Sequence, residues 1–402
     1  MSALLLRRAR VAGHDHPVDI LIGTSGRIER IAPAISADAR TVDLEEKLVA
    51  PGLVDAHQHL DKTRTLRSVA NPEGTLLGAI KAFSRYAATM SGEDIAARAE
   101  RTVAACAERG TVAIRTHANV DPECRLRGVE ALVALREQVR DRMRIQVVAF
   151  LTAGGTKAGA PAREWLEEAM RLGADVVGMN PNHADRPLEL LDMVFEIAER
   201  YGRPIDLHLD EHLDAERTYF LAVAEKTKAH GMAGKVVASH SSALSALDQP
   251  QAARVIEALA NAGVGVVTLP AANLFLQGRS ATKLAPRGLT RVTELQKAGV
   301  TVAAASDNIQ DPFVPPGSGD LLEIARWALL AGHLGSNDLA KAFEMITTAP
   351  AQLMGLDADY GVREGARADL LIAPAEDAPD LVASGPLSRT VLVNGRVVAG
   401  SL

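Results

Sequence analysis

The stretch richest in reactive side chains is Leu48–Thr65, which reads LVAPGLVDAHQHLDKTRT. An apolar run leads into His57 and His59, and an acid and a base follow at Asp61 and Lys62. Because side chains alternate across a β-strand, His57 and His59 would point to the same side and could share one metal ion. Lys62 has two interpretations: an ion pair with Asp61 or another acid at the rim of a site, or a contact to a substrate.

Four further residues that could bind a metal or move a proton end other apolar runs: His117, His208, His240 and Asp307. One histidine in such a place is more often a hydrogen-bonded structural residue, but several in corresponding positions favour a shared site. Asp307 alone would be an ordinary helix N-cap, yet it ends the run VTVAAAS. Glu211 follows His208 by three residues, which would place its carboxylate above a bound water; its alternative is a solvated charge in DEHLDAER.

The other histidines and Cys106 are predicted to lie outside this site. Cys106 falls on an apolar helix face and is predicted to be a core residue. With Cys124 as the only other cysteine, a disulfide framework and a Cys-rich zinc site are excluded, so any metal must bind to His and carboxylate side chains. The histidines predicted to lie on the surface are His14, His16, His183, His212, His230 and His333.

Eight apolar, β-rich runs carry the chain past these residues and alternate with helical patterns such as GEDIAARAERTVAACAERG. Eight parallel strands, each followed by a helix, predict a (β/α)8 TIM barrel, in which strand C-termini hold the chemistry. A doubly wound nucleotide-binding sheet is disfavoured because no glycine-rich phosphate motif follows any run. The runs are LVDAHQH, VAIRTHANV, IQVVAFLTAGG, DVVGMNPN, PIDLHLDE, KVVASHSSA, VGVVTLP and VTVAAASDN.

The two ends of the chain read as short strands with turn signals between them. VDILIG, RIERIAP and TVDLEEKLVAPG occur near the start, and ADLLIAP and TVLVNGRVVAG near the end, where Asn394-Gly395 signals a hairpin turn. We therefore predict a small β-sandwich domain built from both termini, residues 1–50 and 360–402, and a barrel domain over residues 51–359.

Composition narrows the class of partner. The 402 residues are 47% hydrophobic and 23% charged with a net charge of -6, which gives no electrostatic footprint for nucleic acid or for an anionic membrane. The apolar run in MSALLLRRAR is too short for a signal peptide, and no later stretch has membrane-spanning length. We expect a cytoplasmic protein with a small-molecule partner, and a homo-oligomer is left open.

The motifs at the predicted strand ends resemble those of the amidohydrolase superfamily, within it the cytosine deaminase-like branch that also holds N-alkylammelide hydrolases. The resemblance covers nearly the whole chain, and the ordered set of motifs is far more specific than the H-x-H alone. Its motifs here are PGLVDAHQHLDK, RTHANVD, IQVVAF, RLGADVVG, DLHLDE, ASHSSA, LFLQGR and ASDNIQDPFVPPGSGD.

This resemblance implies one divalent metal ion, Zn or Fe, because DVVGMNPN lacks the Lys or Glu that bridges two metals in binuclear members. Glu211 would be the proton shuttle, and His240 would be a partner of the attacking hydroxide. Asp307 would accept the proton of water as the attack on an amidine-type ring carbon proceeds. The implied metal ligands are His57, His59, His208 and Asp307.

The resemblance also implies a deaminase that releases ammonia from a small amino- or imino-substituted nitrogen heterocycle. Cytosine deaminases have a Gln where this chain has Thr152, so cytosine is predicted to be a poor substrate. An alternative is a hydrolase that releases an alkylamine from an N-substituted aminotriazine or opens a cyclic amide, which the pair Asp307-Asn308 favours. A metal-free binding or assembly protein is disfavoured, since the ligand set is complete. The predicted substrate contacts are His117, Thr152, Gln277 and Asn308.

Overall fold

A computed structural model describes residues 2–402, and within them sixteen strands form three sheets. The strands are β1 Leu4–Ala9, β2 Val18–Ile22, β3 Ile28–Ala32, β4 Arg40–Asp43, β5 Leu48–Pro51, β6 Leu53–Gln58, β7 Thr111–Val120, β8 Arg144–Leu151, β9 Val176–Met179, β10 Ile205–Leu209, β11 Val236–His240, β12 Gly265–Thr268, β13 Val302–Ala304, β14 Leu370–Ala373, β15 Thr390–Val393 and β16 Arg396–Ala399.

Helices follow or precede the barrel strands along the chain. They are α1 Leu76–Ala87, α2 Gly92–Glu108, α3 Arg127–Gln138, α4 Ala162–Arg171, α5 Pro187–Tyr201, α6 Phe220–Ala229, α7 Gln249–Ala262, α8 Pro270–Leu276, α9 Val292–Lys297, α10 Leu321–Ala331, α11 Leu339–Glu344, α12 Thr348–Leu353 and α13 Ala378–Ser384. Short 3-10 helices span Pro181–His183, Ser242–Ser245, Ser336–Asp338 and Asp357–Asp359.

The predicted (β/α)8 barrel is confirmed. Strands β6 to β13 form one parallel sheet in chain order, and each of the eight predicted runs contributes one of them. The barrel closes beyond β13, where the Asp307 N–H donates to the His57 carbonyl at 2.8 Å and the His59 N–H donates to the Asp307 carbonyl at 3.0 Å. The closing contacts therefore run through residues that the sequence predicts to be metal ligands.

The predicted β-sandwich is also present, as two four-stranded sheets in the orders β3-β2-β1-β4 and β16-β15-β14-β5. Period-two alternation lets the second sheet serve two cores: Leu370 and Ile372 join the core of the sandwich, whereas Leu371 and Ala373 join the core of the barrel. The β15–β16 hairpin turns at Asn394-Gly395 with φ of 50° and 73°, which is the left-handed backbone that this dipeptide favours.

Two local features complete the scaffold. The apolar run of MSALLLRRAR forms part of β1, a mostly buried strand that pairs with β2 and β4. Helix α2 begins at the N-cap Ser91, whose hydroxyl accepts from the Asp94 N–H, and it buries Cys106 as predicted. Among residues 2–402, we find no helix that combines the length and apolar character needed to cross a membrane.

Candidate active site

The predicted metal ligands, together with the predicted catalytic residue His240, lie at the C-terminal ends of the barrel strands. His57 lies on β6, His208 on β10 and His240 at the end of β11, while His59 and Asp307 lie just beyond β6 and β13. The backbone is left-handed at His240 and Asp307, with φ of 64° and 61°. Such a conformation is costly for residues other than glycine and clusters at functional sites, because surrounding structure must hold it in place.

Three imidazoles of this group, those of His57, His59 and His208, offer ring nitrogens within 4.8 Å of one another, and the Asp307 carboxylate lies beside two of them. His59 Nε2 is 3.1 Å from His208 Nε2. Asp307 Oδ1 is 3.4 Å from His59 Nε2 and 3.6 Å from His57 Nε2. Ligand atoms held at 2.0–2.1 Å around a tetrahedral zinc ion would be about 3.3 Å apart. The separations of these side chains therefore suit a single ion of that size.

Two ring nitrogens beside Asp307, Nε2 of His57 and Nε2 of His240, are buried and have no hydrogen-bond partner among the described residues. Burial, reinforced by the neighbouring basic side chains, holds the pKa of His57, His59 and His208 well below the ordinary value. Neutral imidazoles with free lone pairs are what a divalent cation requires, so these residues fit a metal site.

The acids of the site are buried beside this donor set. Glu211 Oε1 is 3.6 Å from His240 Nδ1, and His240 Nε2 is 3.9 Å from Asp307 Oδ2. Burial, together with the charge of Asp307, raises the pKa of Glu211 well above its ordinary value. Burial, with the nearby His117, lowers the pKa of His240 to about 3. A carboxyl group that keeps its proton to a higher pH than usual can deliver that proton to a substrate.

A cavity of about 620 Å³, including its mouth, opens above these groups. Its lining combines apolar and polar side chains, which suits a flat ring with polar edges. The apolar ones are Leu76, Ile80, Phe83, Phe150 and Phe313, and the uncharged or acidic polar ones include Asn119, Asp121, Thr152, Asn180 and Asn308.

Two of the four predicted substrate contacts, Thr152 and Asn308, line this cavity. Thr152 Oγ1 donates to Asp121 Oδ2 at 3.1 Å, and Asn308 Nδ2 donates to Asp311 Oδ2 at 2.7 Å. Each of these side chains is therefore held by a carboxylate. This contact determines which polar atom remains available to a ligand.

The other two predicted contacts lie elsewhere. His117 is three residues short of the end of β7, and its ring packs 3.9 Å from the ring of His57, inside the barrel. Gln277 Nε2 donates to the backbone carbonyl of Glu211 at 3.1 Å. His117 can thus support a metal ligand, and Gln277 can fix the backbone that carries Glu211.

Lys62, which the sequence left between two roles, is buried in the cavity wall. Its Nζ lies 2.8 Å from Asn119 Oδ1, 2.8 Å from His59 Nδ1 and 3.7 Å from Asp61 Oδ1. The structure therefore combines the two interpretations, because the ammonium group lies near Asp61 and also borders the space open to a ligand.

Sequence reasoning missed a column of polar side chains on β7 and the loop after it. Arg115, Asn119 and Asp121 share the inward face with His117, and the alternating pattern R-x-H-x-N-x-D in RTHANVD could have indicated them. His183 and His212 were predicted on the surface, but both are half-buried and His183 lines the cavity. The segments after β9 and β10 contact each other here, since Asn182 Nδ2 lies 2.8 Å from His212 Nε2.

Comparison with known proteins identifies the family of the chain. The profile described as "Amidohydrolase family" matches residues 65–399. A pterin deaminase of Rhizobium rhizogenes is 34% identical over 392 residues, 96% of this chain and 88% of the relative. The crystal structure of 5-methylcytosine deaminase from Klebsiella pneumoniae with 5-fluorocytosine is 31% identical, with a TM-score of 0.92 over 99% of this chain and 98% of that one. N-isopropylammelide isopropylaminohydrolase from Burkholderia multivorans is 32% identical, with a TM-score of 0.86 over 100% and 99%.

Proposed function

The chain belongs to the amidohydrolase family and is a hydrolase of C–N bonds, and from this premise we propose that it releases ammonia from a small amino- or imino-substituted nitrogen heterocycle. The observation that carries the proposal is Glu211, a buried carboxyl group with a raised pKa that faces the cavity 3.6 Å from His240 Nδ1. A deaminase must protonate a ring nitrogen and its departing amine, and Glu211 is a proton donor in the right place.

We assign one divalent ion, Zn or Fe, to His57, His59, His208 and Asp307. Such an ion supplies Lewis acidity, which lowers the pKa of water so that it becomes a nucleophile at neutral pH. Asp307 would accept the proton that water gives up as the C–O bond forms, and Glu211 would deliver a proton to the ring nitrogen beside the attacked carbon. The C–N bond would then break as the amine takes the proton held by Asp307 and leaves, while the added hydroxyl returns a proton to Glu211 and becomes the carbonyl. His240 lies between these two carboxyl groups and orients the water by hydrogen bonding.

A second candidate function is the release of an alkylamine from an N-substituted aminotriazine. The apolar lining of Leu76, Ile80 and Phe83 favours it, because an alkyl group could be buried there beside a ring held by the polar side chains. Similarity to the isopropylaminohydrolase of Burkholderia multivorans supports the same alternative. Both functions use the same attack on a ring carbon and differ in the leaving amine.

A substrate panel tests the proposal. We expect ammonia release from aminated heterocycles such as a pterin, a creatinine-like ring or an aminotriazine, with cytosine poorer in kcat/KM by roughly 10²-fold or more. The reason is Thr152, a short side chain that already donates to Asp121 and cannot make the two-point contact of a glutamine amide. Ammonia and alkylamines would be quantified separately for each compound on the metal-loaded protein.

Two outcomes would contradict this expectation. Efficient turnover of cytosine would show that Thr152 does not discriminate as argued. Amine release from N-alkylated triazines, with no ammonia from any other compound, would select the second candidate. A Thr152→Gln protein provides the matched comparison, since it restores the longer amide and should improve cytosine relative to the other compounds.

A further inference from the structure

We infer that Ser239 and Asp206 are positioning residues that fix the tautomer of His57, so that its Nε2 lone pair is directed at the metal ion. The inference rests on the proposed metal-dependent function. It concerns a line of buried side chains beneath the ligands, contributed by four strands: His57 on β6, Arg115 on β7, Asp206 on β10 and Ser239 on β11.

The contacts in this line are short and enclosed. His57 Nδ1 lies 2.9 Å from Ser239 Oγ, and Ser239 Oγ lies 2.8 Å from Asp206 Oδ1. Asp206 Oδ2 accepts from Arg115 Nη1 at 3.0 Å. All four residues are at most 1% exposed, so water does not compete for these hydrogen bonds.

Donor counting gives each hydrogen bond a direction. A carboxylate paired with a guanidinium group only accepts, so the single hydroxyl proton of Ser239 goes to Asp206. The Ser239 oxygen can then only accept from His57, which requires the proton of His57 to be on Nδ1. The Nε2 atom is left as an unprotonated acceptor, and it is the nitrogen that has no partner and lies 3.6 Å from Asp307 Oδ1. Fixing a ligand's tautomer through its other ring nitrogen is a general function of the groups behind a metal site.

Asp206 is itself held in place by Arg115. The guanidinium group also donates to Gln146 Oε1 at 3.0 Å and to the Leu353 carbonyl at 3.0 Å, so the carboxylate cannot rotate freely. The other neighbour of Asp206 is His117, whose Nε2 lies 3.4 Å from Oδ1, longer than the contact made by Ser239. The line of hydrogen bonds thus runs from the Arg115 guanidinium group through Asp206 and Ser239 to the ring of His57.

Zinc affinity tests the inference. Metal-free protein would be titrated with Zn²⁺ against a chelating indicator of known affinity, for the parent and for Ser239→Ala, Asp206→Asn and Ser242→Ala. We expect Ser239→Ala to weaken zinc binding roughly 10- to 100-fold, the range usual for a lost partner behind a ligand. Asp206→Asn should weaken it at least as much, because an amide facing Ser239 would donate to it and turn the hydroxyl proton toward His57. Ser242→Ala is the matched control, since Ser242 is equally buried and its hydroxyl has no partner among the described residues.

The tautomer can be observed without any substitution. Long-range ¹H–¹⁵N correlation of the metal-free parent, with His57 assigned from a His57→Gln protein, should show protonation at Nδ1. Protonation at Nε2 would overturn the inference, even if Ser239→Ala did not fold. A folded Ser239→Ala protein that binds zinc as tightly as the parent would also overturn it. A parent that binds no divalent metal would instead contradict the proposed function.

Discussion

Replacing Asp307 with asparagine should remove the metal ion and lower kcat/KM by about 10³-fold or more while the barrel stays folded. The substitution deletes the anionic ligand and the acceptor of the water proton in one step. Loss of metal catalysis forfeits several kcal/mol of transition-state stabilisation, and each ~1.4 kcal/mol is tenfold in rate. Metal per protein chain, measured after desalting, and kcat/KM on the best substrate of the panel would test the prediction.

Asparagine is a sharper choice than alanine because of the backbone. Asp307 has φ of 61°, a conformation that asparagine tolerates and that costs alanine about 1–2 kcal/mol. The contacts that close the barrel use the backbone N–H and carbonyl of Asp307, so they survive a change of side chain. Thermal unfolding should therefore be similar for the metal-free parent and Asp307→Asn. An Asp307→Asn protein that kept stoichiometric metal and full turnover would exclude Asp307 from the site.

The barrel could be predicted because each of its strands is buried on both faces. Such strands read as nearly continuous apolar runs, as in VGVVTLP and the start of KVVASHSSA, and polar residues stand out at their ends. The β-sandwich could be predicted for a different reason. Short stretches of alternating apolar and polar residues, separated by turn signals, occur at both termini. The limits given above for the two domains stay a prediction, since β5 and β14 contribute to both cores.

The site was less predictable where it depends on contacts between residues that are far apart in the sequence. His117 was predicted to end its strand, although both the predicted run VAIRTHANV and the strand β7 continue to Val120, so the side chain lies deeper. Gln277 was judged from a loop motif, and its contact to the Glu211 carbonyl joins residues 66 positions apart. Alternation reveals which side chains of a strand face inward, whereas their partners on other strands follow only from the closed barrel. The line from Arg115 to His57 is of this second kind.

Replacing Glu211 with glutamine should leave metal content unchanged and lower kcat by roughly 10²- to 10⁴-fold, the range for a lost general acid or base. Glutamine matches the size of the side chain but cannot give up a proton to a ring nitrogen. The bond from Gln277 Nε2 reaches the backbone carbonyl of Glu211, so the substitution leaves that support intact. Glu216→Gln is the matched control, because it removes an exposed charge from the same loop.

The pH dependence of kcat separates proton transfer from a merely structural role. Burial, with the charge of Asp307, raises the pKa of Glu211 well above its ordinary value, so the proton-bearing form persists toward neutral pH. As the pH rises through that raised pKa the donor is lost, and kcat of the parent should fall. The Gln variant has no proton to lose and should lack this decline over the same interval. An unchanged rate together with an unchanged pH profile would leave Glu211 with a purely structural role, and the proton would then have to come from another group that lines the cavity.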